Sequence, residues 1–134
     1  MKNLYLAAHY ARNAEMRRYR DILHAIGYVV TSRWIDQHGG SLTEALGEQE
    51  LNGDPRIGLP YALKDIEDIQ AADTVVSFTN GKGRGGRHVE FGIAWAYGKR
   101  LIIVGQREHV FHCVPEVTQY DEFDQFLASL RILT

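Results

Sequence analysis

Apolar residues change their spacing along this chain, and each change of period predicts an element. Leu4 to Ala8 is a short apolar run that fits a buried strand, and Met16, Tyr19, Leu23 and Ile26 then recur at helical spacing from Asn13 to Ile26, with Gly27 as the stop. Tyr28 to Trp34, rich in β-branched and aromatic residues, reads as a second strand. Ile35 to Gly58 is polar and punctuated by glycine. It holds a capping-box pattern at Ser41-Leu42-Thr43-Glu44, so a short helix is expected inside a mobile flap that is long for a simple connection. Pro60 to Ala72 predicts a helix with Leu63, Ile66 and Ile69 inward, Thr74 to Phe78 a third strand, and Val89 to Tyr97 a helix stopped by Gly98. Arg100 to Gly105 predicts a fourth strand, Val114 to Thr118 a weak fifth, and Tyr120 to Leu130 a closing helix.

Strands alternating with helices imply an α/β fold. The expectation is a single doubly wound domain over residues 1–134, Rossmann- or flavodoxin-like, with a mostly parallel five-stranded sheet and helices on both faces. Ligands bind such sheets beyond the carboxyl ends of the strands, which would bring the loop after Ala8, the Ile35 flap and the Gly81 loop to one cleft. Charge and composition narrow the partners. A formal net charge of −2, with 45% hydrophobic and 24% charged residues, gives no support for a nucleic-acid polymer or a membrane surface as partner. Cys113 is the one cysteine, which excludes an intrachain disulfide. The opening apolar run is too short for a signal peptide, and no run approaches the roughly 18 apolar residues of a membrane span. The expected location is therefore cytoplasmic.

Chemistry concentrates between Gly81 and Gly92. A glycine-rich turn that follows a strand and opens a helix presents free amides to an anion, and Gly83, Gly85 and Gly86 here are accompanied by Lys82, Arg84 and Arg87. Glu90 is the only charged residue between Val89 and Tyr97, on a helical stripe with Ile93, Ala94 and Tyr97. One reading is a favourable acidic residue near a helix start. The other is a functional carboxylate, because burying one without a partner costs several kcal/mol. The turn is neither a P-loop nor a dinucleotide fingerprint, and no serine or cysteine occupies a nucleophile elbow. His109 and His112 are three apart, but with no carboxylate partner nearby they read as surface residues, and no metal site is expected. His88 reads either as a proton shuttle or as a solvent-facing residue.

The run from Asp65 to Val76, the glycine turn, Glu90-Phe91-Gly92-Ile93-Ala94 and Gly98-Lys99-Arg100 together resemble the nucleoside 2-deoxyribosyltransferase family, which includes the 2′-deoxynucleoside 5′-phosphate N-hydrolases. An aspartate eight residues before the strand-opening Asp73 and a lysine nine residues after Glu90 stand at the family spacing. The resemblance covers about the middle third of the chain in detail. It implies that Glu90 is a nucleophile forming a glycosyl ester and that Asp65 orients the substrate or protonates the departing base. By position it implies sugar or phosphate contacts from His9, Tyr10 and Arg12. Arg84 stands six residues before Glu90, where transferases usually carry an aspartate for the 5′-hydroxyl, and an arginine there favours a 5′-phosphate. Trp34 and Asp36 fit a base-stacking pair or, for Trp34, the core. The family chemistry needs no cofactor and no metal. Its members form homodimers or larger homo-oligomers, for which exposed Phe91 and Trp95 would supply a contact. The partner is then a small nucleoside or nucleoside monophosphate. Two alternatives stand beside this reading: an inactive nucleotide-binding sensor, and a ribonucleotide phosphoribohydrolase, whose Gly-Gly-x-Gly-Thr-x-x-Glu motif Gly85 to Glu90 matches only in part.

Overall fold

The computed structural model describes residues 2–36, 48–81 and 85–132. Five strands, β1 (Asn3–Ala7), β2 (Val29–Val30), β3 (Thr74–Phe78), β4 (Arg100–Val104) and β5 (Val117–Tyr120), form one sheet in the order β2-β1-β3-β4-β5. Every pairing is parallel, with Tyr5 beside Val75, Ala7 beside Ser77 and Ser77 beside Ile103. The helices are α1 (Asn13–Ala25), α2 (Glu48–Gly53), α3 (Leu59–Ala71), α4 (Gly86–Ala96) and α5 (Phe123–Ile132). This is the expected doubly wound α/β sheet. Among the described residues, no helix is long and apolar enough to cross a membrane.

Side chains alternate across the sheet, so each strand feeds two cores. On one face, Tyr19 of α1 stacks on Phe123 of α5 at 3.9 Å between centroids and on Phe78 of β3 at 5.4 Å. On the other, Tyr5, Val75, Leu101 and Ile103 are buried under α3 and α4, which contribute Ile69, Phe91 and Ala94. Two polar residues from the family-like run serve the scaffold. Asp73 accepts the amides of Lys2 and Asn3 at 3.1 and 3.0 Å, tying the start of β1 to β3, and Lys99 caps α3 by donating to the Gln70 carbonyl at 2.9 Å.

Several elements differ from expectation. The second strand shrinks to Val29–Val30, because Arg33–Asp36 coil into a 3-10 turn that turns Trp34 and Ile35 into the core. The fifth strand falls at Val117–Tyr120 rather than Val114 to Thr118, since Val110–Cys113 forms another 3-10 turn and Val114 only leads out of it. On α3, Leu63 is exposed, while Asp68 is buried and held by Arg33. The helix is rotated so that Asp65 and Asp68 turn inward while Glu67 stays exposed. Within the expected flap, α2 and the Pro55–Ile57 turn are helical, while Ser41 to Glu44 lie outside the described residues.

Gly105 ends β4 at φ +119°, where a Cβ would collide with Thr79 Oγ1 and stand 3.0 Å from Asn80 Nδ2. Both neighbours are fixed: Thr79 donates to the Gln106 carbonyl at 2.7 Å, and Asn80 accepts the Gln106 amide at 3.1 Å. Gly105→Ala is therefore expected to destabilise the fold by roughly 2–4 kcal/mol through strain and overpacking together. Thermal denaturation should register a midpoint about 10 °C lower; a change within 2 °C would mean this corner yields freely.

Candidate active site

Tyr5 lies in the middle of β1, fully buried, with its hydroxyl on the α3–α4 side of the sheet. Glu90 sits on the second turn of α4 and Asp65 midway along α3, and both carboxylates act electrostatically on the Tyr5 hydroxyl. Three elements thus aim three oxygen-bearing side chains at one place. Tyr5 Oη, Asp65 Oδ1 and Glu90 Oε2 are each shielded from solvent without a hydrogen-bond partner. Part of the Glu90 residue still reaches solvent, while its Oε2 does not. Ser77 Oγ, one pleat along the neighbouring strand on the Tyr5 face, is likewise buried and unpartnered. Buried polar atoms in native proteins nearly always have partners, so three that converge here, with a fourth on the same face of the sheet, mark a candidate place for polar groups of a ligand.

Burial dominates the charges here. It lifts the Glu90 carboxyl from 4.5 to about 8; the Tyr5 hydroxyl opposes the shift, and the Asp65 charge adds to it. Tyr5 Oη is close enough for that influence yet falls short of hydrogen-bond geometry. Burial, then the Asp68 charge, lifts Asp65 to about 6, against the pull of Lys64 and Arg33. Tyr5 is itself held well above its ordinary value by burial and the two carboxylates. The helix start does not keep Glu90 ionised. Dipole stabilisation fades beyond the first turn, and Glu90 is the fifth residue of α4.

The glycine turn enters α4 through Gly85, a left-handed residue at φ +89° that a side chain would strain. Glu90 Oε1 lies 4.0 Å from where a Cβ on Gly86 would stand, so the carboxylate leans back over the bare helix start. Lys82, Gly83 and Arg84 lie outside the described residues. Arg87 is turned inward and almost fully buried. It donates to the Gly81 carbonyl at 2.8 Å and to Glu108 Oε1 at 2.9 Å, bracing the turn against the β4–β5 loop. Glu108 also accepts the Asn80 amide at 3.3 Å, and although burial opposes it, Arg87 holds this carboxyl below its ordinary value.

The loop after β1 stands beside this turn, with His9 Cβ 3.8 Å from where a Cβ on Gly81 would be. His9 Nδ1 accepts the Ala11 amide at 3.0 Å and thereby caps the Tyr10–Arg12 turn. Arg12 forms a two-pronged pair with Glu15 at 2.8 Å and donates to the Thr79 carbonyl at 2.8 Å, joining this loop to the end of β3. Tyr10 faces Trp34 at 6.1 Å between ring centroids. Trp34 is core: its indole N–H donates to the Leu6 carbonyl at 2.8 Å, while exposed Asp36 pairs with Arg20. Phe91 is also core, 3% exposed, whereas Trp95 is 52% exposed. His112 is fully buried rather than a surface residue, and Glu108 is the nearby carboxylate that the sequence did not place.

Tyr5 and Ser77 escaped sequence reasoning because both sit inside apolar strand runs. The available signal was a hydroxyl-bearing residue at an inward position of each run, Leu4-Tyr5-Leu6 and Val76-Ser77-Phe78.

No family profile matches the chain, and no curated protein sequence matches it. Among solved structures, the chain is similar to the Clostridium botulinum CMP N-glycosidase BcmB. That match has a TM-score of 0.60 and 21% identity, covering 98% of this chain and 99% of the other. At that identity the likeness establishes the fold: a five-stranded parallel sheet with flanking helices.

Proposed function

We propose that the chain cleaves the N-glycosidic bond of a nucleoside 5′-monophosphate through a covalent glycosyl ester on Glu90. The observation that carries this reading is the convergence of Tyr5, Asp65 and Glu90, each with a buried oxygen that has no protein partner. In the first step a Glu90 carboxylate oxygen bonds to the anomeric carbon as the carbon–nitrogen bond to the base breaks, and Asp65 delivers a proton to the leaving base. In the second, Asp65 takes a proton from water or an incoming base, which attacks the same carbon and releases Glu90. Substrate in the pocket gives the Tyr5 hydroxyl and Asp65 the partners they lack. The helix start at Gly85 and Gly86 faces the position suited to the phosphate, and Lys82 and Arg84 belong to the same turn in sequence.

The sequence resemblance points to deoxyribose. A second reading, with a ribonucleotide as substrate and water as acceptor, is favoured by the fold neighbour, which is described as acting on CMP. A homo-oligomer fits the same reading, since Leu63 of α3, Trp95 of α4 and Tyr97 just after α4 are each more than half exposed.

The test is chromatography of free base after incubation with deoxynucleosides, their 5′-monophosphates and ribonucleoside 5′-monophosphates, each with and without a second base. Base release from monophosphates, at least about tenfold faster than from nucleosides, is expected without an acceptor. A new nucleoside formed only when acceptor base is present would make the chain a transferase. Absence of base release from the whole panel would overturn the proposal.

A further inference from the structure

On the far side of the Arg87 brace, His88 of α4 meets His109 and His112 of the β4–β5 loop. One ring nitrogen of each lies within 4.8 Å of the others. The ring centroids are 3.8 Å apart for His109 and His112, 4.4 Å for His88 and His109, and 5.3 Å for His88 and His112. We propose that these three imidazoles form a binding site for a divalent transition-metal ion of the zinc class.

Three observations carry this. First, the nitrogens are orphans: His88 Nδ1, both nitrogens of His109 and His112 Nε2 are shielded from solvent without a hydrogen-bond partner. Packed this closely without a hydrogen bond among the three rings, His88 Nδ1 and one nitrogen of His109 leave lone pairs that a cation satisfies and a hydrocarbon does not. Second, Glu108 supports the rings from outside. Its Oε1 is 3.6 Å from His88 Nε2, which favours the proton on that nitrogen and leaves Nδ1 as a donor to metal, the carboxylate–histidine–metal pattern. Third, the donors come from two elements already locked together by the Arg87–Glu108 pair, so their separation is fixed before an ion arrives. For His88 and His109, closing 4.8 Å to the spacing of nitrogens bound at about 2.1 Å needs only small side-chain rotations.

The ligands are not equivalent. His112 Nδ1 accepts the Glu108 amide at 2.9 Å, so in the neutral ring the proton rests on Nε2. Joining the metal requires this ring to turn over and give up that bond. His88 and His109 are therefore the anchoring ligands, with His112 completing the set. An ion here would tie the start of α4, two residues from Glu90, to the β4–β5 loop, and would brace the site without touching substrate.

The experiment is titration of the chelator-stripped full chain with Co2+, read by visible absorption, followed by displacement with Zn2+. One equivalent bound at micromolar concentration, with the bands of a four- or five-coordinate nitrogen site, is expected. His88→Gln and His109→Asn should each weaken binding by more than the roughly 10- to 100-fold that loss of a supporting partner costs. His24→Asn, at an exposed residue outside the cluster, should leave it unchanged. Folding of each variant is checked by circular dichroism. Independently of any variant, Zn2+ should shift the imidazole NMR signals of His88 and His109 in the unaltered protein. No Co2+ bands below millimolar concentration, bands that survive in both variants, or imidazole signals that do not move would each overturn the assignment.

Discussion

Glu90→Gln is expected to lower base release by at least about a thousandfold and to raise thermal stability. The first effect follows from chemistry: an amide cannot form the glycosyl ester, and removal of a covalent nucleophile typically costs several orders of magnitude. The second follows from burial. Glu90 keeps its proton to about 8 in the fold but to about 4.5 in an unfolded chain, so the native state binds the proton more tightly. Its favourable contribution is complete below about 4.5 and is lost as pH rises through about 8. Glutamine does not titrate. The gain of Glu90→Gln should thus be small at pH 5 and largest near pH 8, on the order of 3 kcal/mol once the partial exposure of the residue is allowed for. That corresponds to a midpoint roughly 5–10 °C higher at pH 8, measured by calorimetry in chelated buffer. Full activity in the variant would remove Glu90 from the chemistry, and a lower midpoint at pH 8 would mean that the carboxylate is satisfied rather than stranded.

The same residue marks how far the sequence could be read. Periodicity located α1, α3 and the three central strands to within a residue, because Leu4, Val76 and Ile102 lie in runs whose burial leaves no other choice, while the starts of α4 and α5 fell three residues from where it put them. It failed where side-chain anchoring overrode propensity. Trp34 belongs to a run that looks like a strand, yet its indole bonds to the Leu6 carbonyl and winds the backbone into a turn. Asp68 looks like one of three solvated acids on a helix, yet Arg33, arriving from elsewhere in the chain, holds it inside and rotates α3 with it. For the site, Glu90 stood out because a charge in an apolar stripe is visible in one dimension, whereas Asp65, which shares a polar stretch with Glu67 and Asp68, was singled out only by the family resemblance. Tyr5, Ser77 and the His88–Glu108 contact were not, because each depends on which strand or loop becomes a neighbour, and that is set by topology rather than by local pattern.

Asp65→Asn tests the other half of the pair. Asparagine keeps the shape and can still orient a sugar, but it cannot protonate a departing base, so the rate on ordinary substrates should fall about 100- to 10,000-fold. A substrate whose base leaves without protonation, such as a 7-methylpurine nucleotide, should lose far less. The pH profile separates proton donation from mere orientation. The two carboxyls lie near 6 for Asp65 and near 8 for Glu90, whereas the reaction needs Asp65 protonated and Glu90 ionised. The productive form is therefore the minor arrangement of a single shared proton, on the order of 1% of the singly protonated enzyme. In the unaltered protein, kcat/KM should rise as pH passes the lower value, hold across neutrality and fall above the upper one. Asp65→Asn needs only ionised Glu90, so the alkaline fall should vanish. Because the Asp65 charge helps to raise Glu90, the remaining rise should also have its midpoint below about 8. An alkaline limb that persists in the variant, together with an equal loss on both substrate types, would make Asp65 a positioning residue and leave the proton to come from elsewhere.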